Sequence, residues 1–251
     1  MFDLTGCTAV LTGASGAIGQ AIHERLAESG ATVIGADLKP NGEISELDVA
    51  AEESWQSFVQ TVRSRVEAVD ILVNCAGIAP MGKLEDFQLS EWRRTMSVNV
   101  EGVALGIREF LPLLKAAQGR RAGGASIINI ASAASRRPSA MSAAYCSSKA
   151  AVGMLTKVAA VEFATLGYKI RVNSVHPGVV ESPMMNDILA TYSANTGVSS
   201  AELREGILGQ YLVKRFADPN EIAMSVLYLA SDEAAYLNGT EQHVDGGYLT
   251  T

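Results

Sequence analysis

A tyrosine and a lysine stand four residues apart in the segment Tyr145-Cys146-Ser147-Ser148-Lys149. Residues with this spacing lie on one face of a helix, so the phenol and the ammonium can share one site. A nearby cation favours the phenolate, and lowering a tyrosine pKa from ~10 to near neutrality takes roughly 4 kcal/mol of differential stabilisation. We therefore predict that Tyr145 exchanges a proton with a hydroxyl or carbonyl group. Because this spacing also arises by chance, the elements around the pair must support the prediction.

Short apolar runs alternate with longer helical patterns along the chain. Buried strands are predicted at Thr8 to Thr12, Thr32 to Ala36, Ile71 to Asn74, Ser126 to Ala131 and Ile170 to Val175, with a weaker candidate at Glu43 to Leu47 and a last strand near Glu241 to Val244. Helices are predicted at Ile18 to Ser29, Glu52 to Val66, Ser90 to Lys115, Ala143 to Thr165 and Pro219 to Ala230. This order indicates an α/β fold, a doubly wound parallel sheet in one Rossmann-type domain over residues 1–251.

A glycine-rich turn follows the first predicted strand and opens the first helix. It comprises Gly13, Ser15, Gly16, Ala17, Ile18 and Gly19, and such a turn lets a pyrophosphate approach backbone N–H groups at the positive helix end. Asp37 and Leu38 end the second strand, where a carboxylate can accept both adenosine ribose hydroxyls and repel the 2′-phosphate of NADP. We predict NAD as the cofactor; the alternative is that Asp37 only forms a turn before Lys39-Pro40.

These motifs resemble the short-chain dehydrogenase/reductase family. Thr12, Gly13 and Gly19 match its TGxxxGxG turn, although Ala17 replaces the middle glycine and Gly16 stands one place earlier. Asn74-Cys75-Ala76-Gly77 resembles the family's NNAG, which implies that Asn74, Ala76 and Gly77 line the cofactor cleft. Asp48 and Val49 resemble its Asp-Val pair beside the adenine, and a turn or helix cap at Asp48 is a compatible alternative.

The resemblance also assigns a set of catalytic residues. Ser132 would hold the substrate oxygen, Asn99 would fix a water that leads to Lys149, and Lys149 would bind the nicotinamide ribose besides lowering the pKa of Tyr145. Pro177, Gly178, Val180 and Ser182 match the family's PGxxxT segment around the nicotinamide, with Ser182 in place of threonine. His176 precedes this segment, and we expect strand-end packing for it rather than acid/base chemistry.

The predicted substrate site combines Ser132 and Tyr145 with the small or apolar residues Ala134, Met184 and Met185. This lining favours a bulky neutral secondary alcohol or ketone, cyclic or steroid-like, and the nearby sequence resembles bacterial hydroxysteroid dehydrogenases. Residues 182–215 form the one long irregular-looking segment, either a lid or a surface excursion. The alternatives are a 3-oxoacyl-type reductase and a catalytically silent NAD-binding or NAD-sensing protein. A dehydratase or epimerase would need further acid/base groups.

Composition limits the partners. The 251 residues carry a formal charge of −7 and scattered basic residues, which disfavours nucleic acid. The three cysteines, Cys7, Cys75 and Cys146, form no disulfide or metal pattern, so no metal is predicted. We find no signal peptide or membrane-spanning run and expect a cytoplasmic protein. Small apolar residues on the helices of Asn99 and Tyr145 suit subunit packing, and the resemblance implies a homotetramer.

Overall fold

The centre of the protein is a sheet of seven parallel strands. The computed structural model describes residues 2–250, so the first and last residues of the predicted domain 1–251 lie outside the described range. The strands are β1 (Thr8–Thr12), β2 (Thr32–Asp37), β3 (Ser45–Glu46), β4 (Ile71–Asn74), β5 (Ala125–Ile130), β6 (Ile170–Pro177) and β7 (Glu241–Val244). The doubly wound parallel sheet predicted from the sequence is confirmed.

The strand order places a crevice at the middle of the sheet. The order is β3-β2-β1-β4-β5-β6-β7, so the chain leaves β1 toward one edge and returns to its other side with β4. Thr12 at the end of β1 lies in register with Ala36 of β2 and with Asn74 of β4. In sheets of this type, ligands bind beyond the carboxyl ends of the strands at such a reversal.

Helices cover both faces of the sheet and bury two apolar cores. They are α1 (Ala17–Glu28), α2 (Glu52–Arg63), α3 (Leu89–Met96), α4 (Gly102–Ala117), α5 (Ala143–Thr165), α6 (Pro183–Thr196), α7 (Ser200–Gly209) and α8 (Pro219–Ala230). One core packs α1 and α8 against the sheet, and the other packs α2, α4 and α5. Strands β1, β4, β5 and β6 are buried along their whole length, which explains the largely apolar sequence of β1, β4 and β5. Strand β6 instead buries the polar residues Arg171, Asn173, Ser174 and His176.

The single helix predicted from Ser90 to Lys115 is interrupted in the structure. Helix α3 ends at Met96, a π-helical turn covers Ser97–Glu101, and α4 begins at Gly102. Asn99 lies inside this π turn and its side chain bonds to the chain beyond β4, as described below. A tertiary contact of this kind is invisible to helical periodicity, and π turns occur frequently at functional sites.

The segment 182–215 is helical rather than irregular. Its first helix, α6, begins after Ser182, whose hydroxyl accepts a bond of 3.2 Å from the Met185 N–H, and ends before Gly197 in the left-handed conformation. Its second helix, α7, begins with a capping box between Ser199 and Glu202. The sequence held these signals, namely a capping serine before proline, a terminal glycine and an S-x-x-E motif. Across residues 2–250, none of the helices is both long and apolar enough to cross a bilayer.

Candidate active site

A cleft of about 1430 Å³ opens at the carboxyl ends of the strands. Its lining includes the predicted residues Gly13, Ser15, Gly16, Ala17, Ile18, Gly19, Asp37, Leu38, Asp48, Val49, Ala76, Gly77, Ser132, Ala134, Tyr145, Lys149, Pro177, Gly178, Val180, Ser182, Met184 and Met185. The volume exceeds the ~300–1,000 Å³ of a typical small-molecule pocket, so the cleft has room for a dinucleotide and a second molecule.

The turn between β1 and α1 depends on two glycines. Gly13 has a φ of +68°, and a Cβ placed there would lie 2.8 Å from the Ala76 backbone. A Cβ on Gly19 would lie 2.0 Å from the Gly13 carbonyl oxygen, whereas one on Gly16 would meet that oxygen at 3.4 Å. Since the turn leads into the exposed N-terminus of α1 at Ala17 and lines the cleft, it fits a pyrophosphate bound by backbone N–H groups.

The Asp37 carboxylate is held at the end of β2. One oxygen accepts a 3.0 Å bond from the Ser15 N–H, and the other accepts a 3.2 Å bond from the Lys39 N–H. These bonds join the second strand to the glycine-rich turn. The bond from the Lys39 N–H also shows that Asp37 forms the turn before Pro40. Asp37 lines the cleft as well, so it has both of the predicted roles.

Asp48 forms a turn beside the same part of the cleft. Its carboxylate accepts a 2.9 Å bond from the Ala50 N–H, and its own N–H donates to the Ser54 hydroxyl at 3.0 Å. Helix α2 begins only at Glu52, so Asp48 makes a local turn and not the helix cap. Leu38 lies 54% exposed in the cleft, where it offers an apolar surface to a flat ring.

Asn74 differs from the expectation that it lines the cleft. It is buried below the cleft floor, where its amide nitrogen donates a 2.8 Å bond to the Asn129 side-chain oxygen. Asn129 in turn donates to the Thr156 hydroxyl at 2.9 Å. The pair therefore ties β4 to β5 and to α5, and the cleft wall after β4 consists of Cys75, Ala76 and Gly77.

Ser132 and Tyr145 meet at the centre of the cleft. Ser132 follows β5 in an extended conformation, and its hydroxyl accepts a 3.1 Å bond from the Ala134 N–H. The Tyr145 hydroxyl on the first turn of α5 hydrogen-bonds to the Ser132 side chain, which lowers the pKa of the phenol, but burial has the larger effect and raises it above its usual value. In the protein alone, Tyr145 is therefore a neutral acid at physiological pH.

Lys149 lies one helical turn further along α5 and is 5% exposed. Its Nζ donates a 2.8 Å bond to the Ile130 carbonyl oxygen and lies 5.9 Å from the Tyr145 ring centroid. Burial lowers the pKa of this ammonium to about 8. In the protein alone, burial penalises both the Tyr145 phenolate and the Lys149 ammonium. The predicted lowering of the Tyr145 pKa depends on a nicotinamide cation as well as on Lys149, so it stays a prediction.

The Asn99 side chain is fully buried and fixes the loop after β4. Its oxygen accepts a 2.9 Å bond from the Ile78 N–H, and its nitrogen donates at 2.9 Å both to the Ile78 carbonyl and to the Ser148 hydroxyl. A Cβ on Gly77 would lie 3.2 Å from the Lys149 Nζ, so the loop held by Asn99 packs closely against the lysine. The amide of Asn99 thus positions the surroundings of Lys149.

The turn after β6 forms the opposite wall. A Cβ on Gly178 would lie 2.8 Å from the Tyr211 ring, so only glycine fits beneath that ring. The Ser182 hydroxyl donates to the Val180 carbonyl at 3.3 Å besides capping α6. Its position at a helix N-terminus in the cleft is compatible with a bond to a carboxamide, as the sequence resemblance implies.

The substrate side is completed by Tyr192 and by three residues that the sequence did not single out, Arg137, Tyr211 and Tyr248. Tyr211 and Tyr248 stack with ring centroids 4.7 Å apart. The Arg137 guanidinium lies 4.4 Å from the Tyr248 ring centroid and donates a 2.6 Å bond to the Tyr248 carbonyl. Tyr192 of α6 donates to the Ala140 carbonyl. No motif marks these residues, because α6, α7 and the chain end reach the cleft only through tertiary folding.

The site combines a dinucleotide cradle with a Ser-Tyr-Lys group for proton transfer, which defines a dinucleotide-dependent oxidoreductase. Within residues 2–250, no group of three His, Cys, Asp or Glu side chains could hold a metal ion. A family model described as enoyl-(acyl carrier protein) reductase matches residues 13–249. The chain belongs to the short-chain dehydrogenase/reductase family.

The chain is similar to several dehydrogenases over most or all of its length. Cyclopentanol dehydrogenase from a Comamonas species is 38% identical over 80% of this chain and 74% of its own length. The NADP-dependent (R)-specific alcohol dehydrogenase of Lentilactobacillus kefiri is 33% identical over 98% of this chain and 97% of its own. The ligand-free aldohexose dehydrogenase of Thermoplasma acidophilum superposes with a TM-score of 0.90 at 28% identity, covering 100% of this chain and 97% of that one.

Proposed function

We propose that the protein oxidises a bulky, uncharged secondary alcohol, most favourably a cyclic one, to the ketone with NAD, and catalyses the reverse reaction. The observation that carries this proposal is the Ser132–Tyr145–Lys149 group at the centre of a cleft large enough for a dinucleotide and a substrate. The name of the Comamonas relative, cyclopentanol dehydrogenase, supports a cyclic secondary alcohol, and the volume of the cleft supports a bulky one.

In this mechanism the protein binds the alcohol oxygen and removes its proton. The Ser132 hydroxyl and the Tyr145 phenol, already hydrogen-bonded to each other, would both contact that oxygen. Oxidation requires Tyr145 as the phenolate, which the positive charges of Lys149 and of the bound oxidised cofactor would favour over the neutral phenol of the protein alone. The phenolate would accept the hydroxyl proton during oxidation, and the phenol would give a proton to the carbonyl oxygen during reduction. Lys149 would hold the ribose hydroxyls of the cofactor, and the bound cofactor would take up the hydride from the carbinol carbon.

The choice of NAD rests on Asp37. Its carboxylate lies in the cleft wall, held by the Ser15 and Lys39 N–H groups, where a 2′-phosphate would meet a fixed negative charge. Lys39 also lines the cleft and could attract a phosphate, so the two charges compete. We give the carboxylate more weight because its two backbone bonds fix its position, whereas the Lys39 side chain is exposed.

The cofactor preference is tested by comparing Asp37→Asn with Asp37→Ser. Removing the charge is expected to shift the ratio of kcat/KM for NADP over NAD upward by at least tenfold, about 1.4 kcal/mol in transition-state terms. Asn keeps the side-chain shape but can accept only one of the two backbone N–H bonds, and Ser keeps a single hydroxyl, so the shift that both variants share reports the lost charge. A wild-type preference for NADP, or a ratio unchanged in both variants, would contradict the assignment.

The reaction is tested by following NADH fluorescence with cyclic, steroidal and linear alcohols. Tyr145→Phe is expected to fold, to bind NADH as the wild type does and to lose at least 10²-fold in kcat, since it lacks the proton acceptor. Full turnover by this variant would refute the mechanism. Wild-type protein that binds NADH but turns over none of the alcohols or ketones would favour an NAD-sensing role instead.

We also propose a homotetramer. Support comes from the outer face of α5, where Met154, Val158 and Val161 are 59%, 51% and 67% exposed at helical spacing. A contiguous apolar stripe of this kind is costly in water unless another surface covers it. Light scattering after size exclusion is expected to give four times the chain mass, and Val158→Lys is expected to reduce it.

A further inference from the structure

The end of β6 carries a fully buried histidine that the proton-transfer chemistry does not use. The His176 Nδ1 lies 3.1 Å from the Ser132 carbonyl oxygen and 2.9 Å from the Ser135 hydroxyl. Its Nε2 lies 2.9 Å from the Ser174 hydroxyl. His176 immediately precedes Pro177, so one ring joins the turn that carries Ser132 to the turn that lines the opposite wall.

The imidazole is neutral, and its surroundings assign the proton. Burial lowers the pKa of His176 to about 4, even though Glu241 and the bond to Ser132 act to raise it and the neighbouring His243 and Arg136 lower it further. A neutral ring has one N–H, and a carbonyl oxygen can only accept. The Ser132 carbonyl contact therefore favours the tautomer with the proton on Nδ1, which donates to that carbonyl. In this tautomer Nε2 accepts from the Ser174 hydroxyl at 2.9 Å, a shorter contact than the 3.4 Å from that hydroxyl to the Thr240 carbonyl.

Packing fixes the ring in this orientation. The His243 ring crosses it edge-on with centroids 5.0 Å apart. On another side α5 passes so closely that a Cβ on Gly153 would lie 3.5 Å from the His176 Cε1. The main-chain bond of 2.8 Å from the Ala131 N–H to the Val175 carbonyl lies at the end of the paired part of β5 and β6. Beyond that point, the His176 side chain joins the two chain segments.

We infer that His176 is a positioning residue, which holds the Ser132 backbone so that the Ser132 hydroxyl aims at Tyr145 and the alcohol oxygen. The Ser132 carbonyl also accepts a 3.0 Å bond from the Ser135 N–H within its own turn. Without the Nδ1 donor, the turn at Ala133–Ser135 keeps this internal bond, but the Ser132 carbonyl loses its tie to β6 and the turn can shift against that strand. A displacement of ~1 Å in a catalytic group can cost 10²-fold in rate. The inference rests on the proposed alcohol oxidation.

The test compares two amides that reach different places. In His176→Asn the side-chain nitrogen takes the place of Nδ1 and can still donate to Ser132, whereas in His176→Gln it takes the place of Nε2. We expect Gln to lower kcat for alcohol oxidation by about 10–50-fold, with the NADH Kd within twofold of the wild type, and Asn to retain kcat within about threefold. Equal losses in both variants, or none in Gln, would overturn the inference.

A second readout needs no substrate. Because the bond from Ser132 lowers the Tyr145 pKa, displacing Ser132 is expected to raise that pKa in His176→Gln and leave it in place in His176→Asn. Tyrosinate absorbance, taken as the difference from the same variants carrying Tyr145→Phe, reports it. An unshifted Tyr145 titration in Gln would contradict the inference, whereas absence of turnover in the wild type would contradict only the proposed function.

Two further variants separate positioning from stability. Ser174→Ala removes the equally buried partner of the other ring nitrogen, so it is expected to lower the melting temperature but keep kcat within about twofold. In a Ser132→Ala background, His176→Gln is expected to lower kcat by no more than about twofold further, because its effect passes through Ser132. Additive losses in kcat would show that His176 acts independently of Ser132 and would overturn the inference.

Discussion

The buried Lys149 ammonium makes the stability of the protein depend on pH in a direction that can be stated in advance. Burial lowers its pKa from 10.5 to about 8 in the folded protein without ligands. Between these two values, the unfolded chain binds more protons at this residue than the folded chain does. The contribution of Lys149 to the free energy of unfolding therefore rises with pH across this window. Below the window, Lys149 is charged in both states, and burying that charge lowers the stability of the folded protein.

The size of the effect follows from the two pKa values. Integrating the difference in bound protons from pH 7 to pH 9.5 gives a gain of about 2 kcal/mol for the Lys149 contribution. Lys149→Met has similar length and does not titrate. It also loses the 2.8 Å bond to the Ile130 carbonyl, at a cost of about 1–3 kcal/mol that does not vary with pH. The pH slope thus separates the charge from the hydrogen bond.

Urea unfolding of the ligand-free proteins at pH 7, 8 and 9.5 measures this slope. From pH 7 to pH 9.5, the free energy of unfolding of the wild type is expected to rise by about 2 kcal/mol more than that of Lys149→Met. The exposed Lys169 provides the control, because Lys169→Met should follow the wild type across the range. A wild-type advantage over Lys149→Met that stays constant or shrinks as the pH rises would refute the reasoning that burial dominates at Lys149.

Two further predictions concern the turn and the phenol. Gly19→Ala would place a Cβ 2.0 Å from the Gly13 carbonyl oxygen, so we expect it to lower the free energy of unfolding by about 2–3 kcal/mol and the melting temperature by roughly 5–10 °C. Gly16→Ala, whose Cβ would meet the same oxygen at 3.4 Å, should lower the free energy of unfolding by less than about 1 kcal/mol. Equal melting temperatures for the two variants would contradict the packing argument. Since burial raises the Tyr145 pKa, titration followed by tyrosinate absorbance should give a pKa above 10 for the ligand-free protein and a lower pKa once NAD is bound. A ligand-free pKa below 10 would show that a nearby cation outweighs burial.

The sheet and the residues at its carboxyl edge could be predicted because both follow from local sequence. Strands buried on both faces are rich in apolar residues, as in the Ile71–Val73 part of β4, and parallel strands bring their carboxyl ends to one edge. This explains why Gly13, Asp37 and Ser132, each placed at the end of a different strand, line one cleft. The bounds of Ala143–Thr165 and Pro219–Ala230 were also predicted correctly.

What escaped prediction depends on contacts between distant segments. The break in the Ser90 to Lys115 helix follows from the bonds that Asn99 makes to Ile78, and the burial of Asn74 follows from its partner Asn129. The direction of the Tyr145 pKa shift in the ligand-free protein could not be predicted either, because the spacing shows that a cation is near but not how deeply the phenol is buried. The capping signals of α6 and α7 are present in the sequence, so the two helices in segment 182–215 could have been predicted from local sequence alone.

The residues that hold the proton-transfer groups differ from those that form the substrate wall. Lys149 bonds to the Ile130 carbonyl and Asn99 to the Ile78 backbone, so main-chain groups at strand ends fix both. Helices α6 and α7 instead form a small apolar cluster of their own around Met185, Leu189 and Phe216, apart from the two large cores. Because this cluster is separate from the cores and main-chain groups that hold Lys149 and Asn99, changes in α6 and α7 can reshape the substrate wall while the cofactor cradle and Tyr145 keep their geometry.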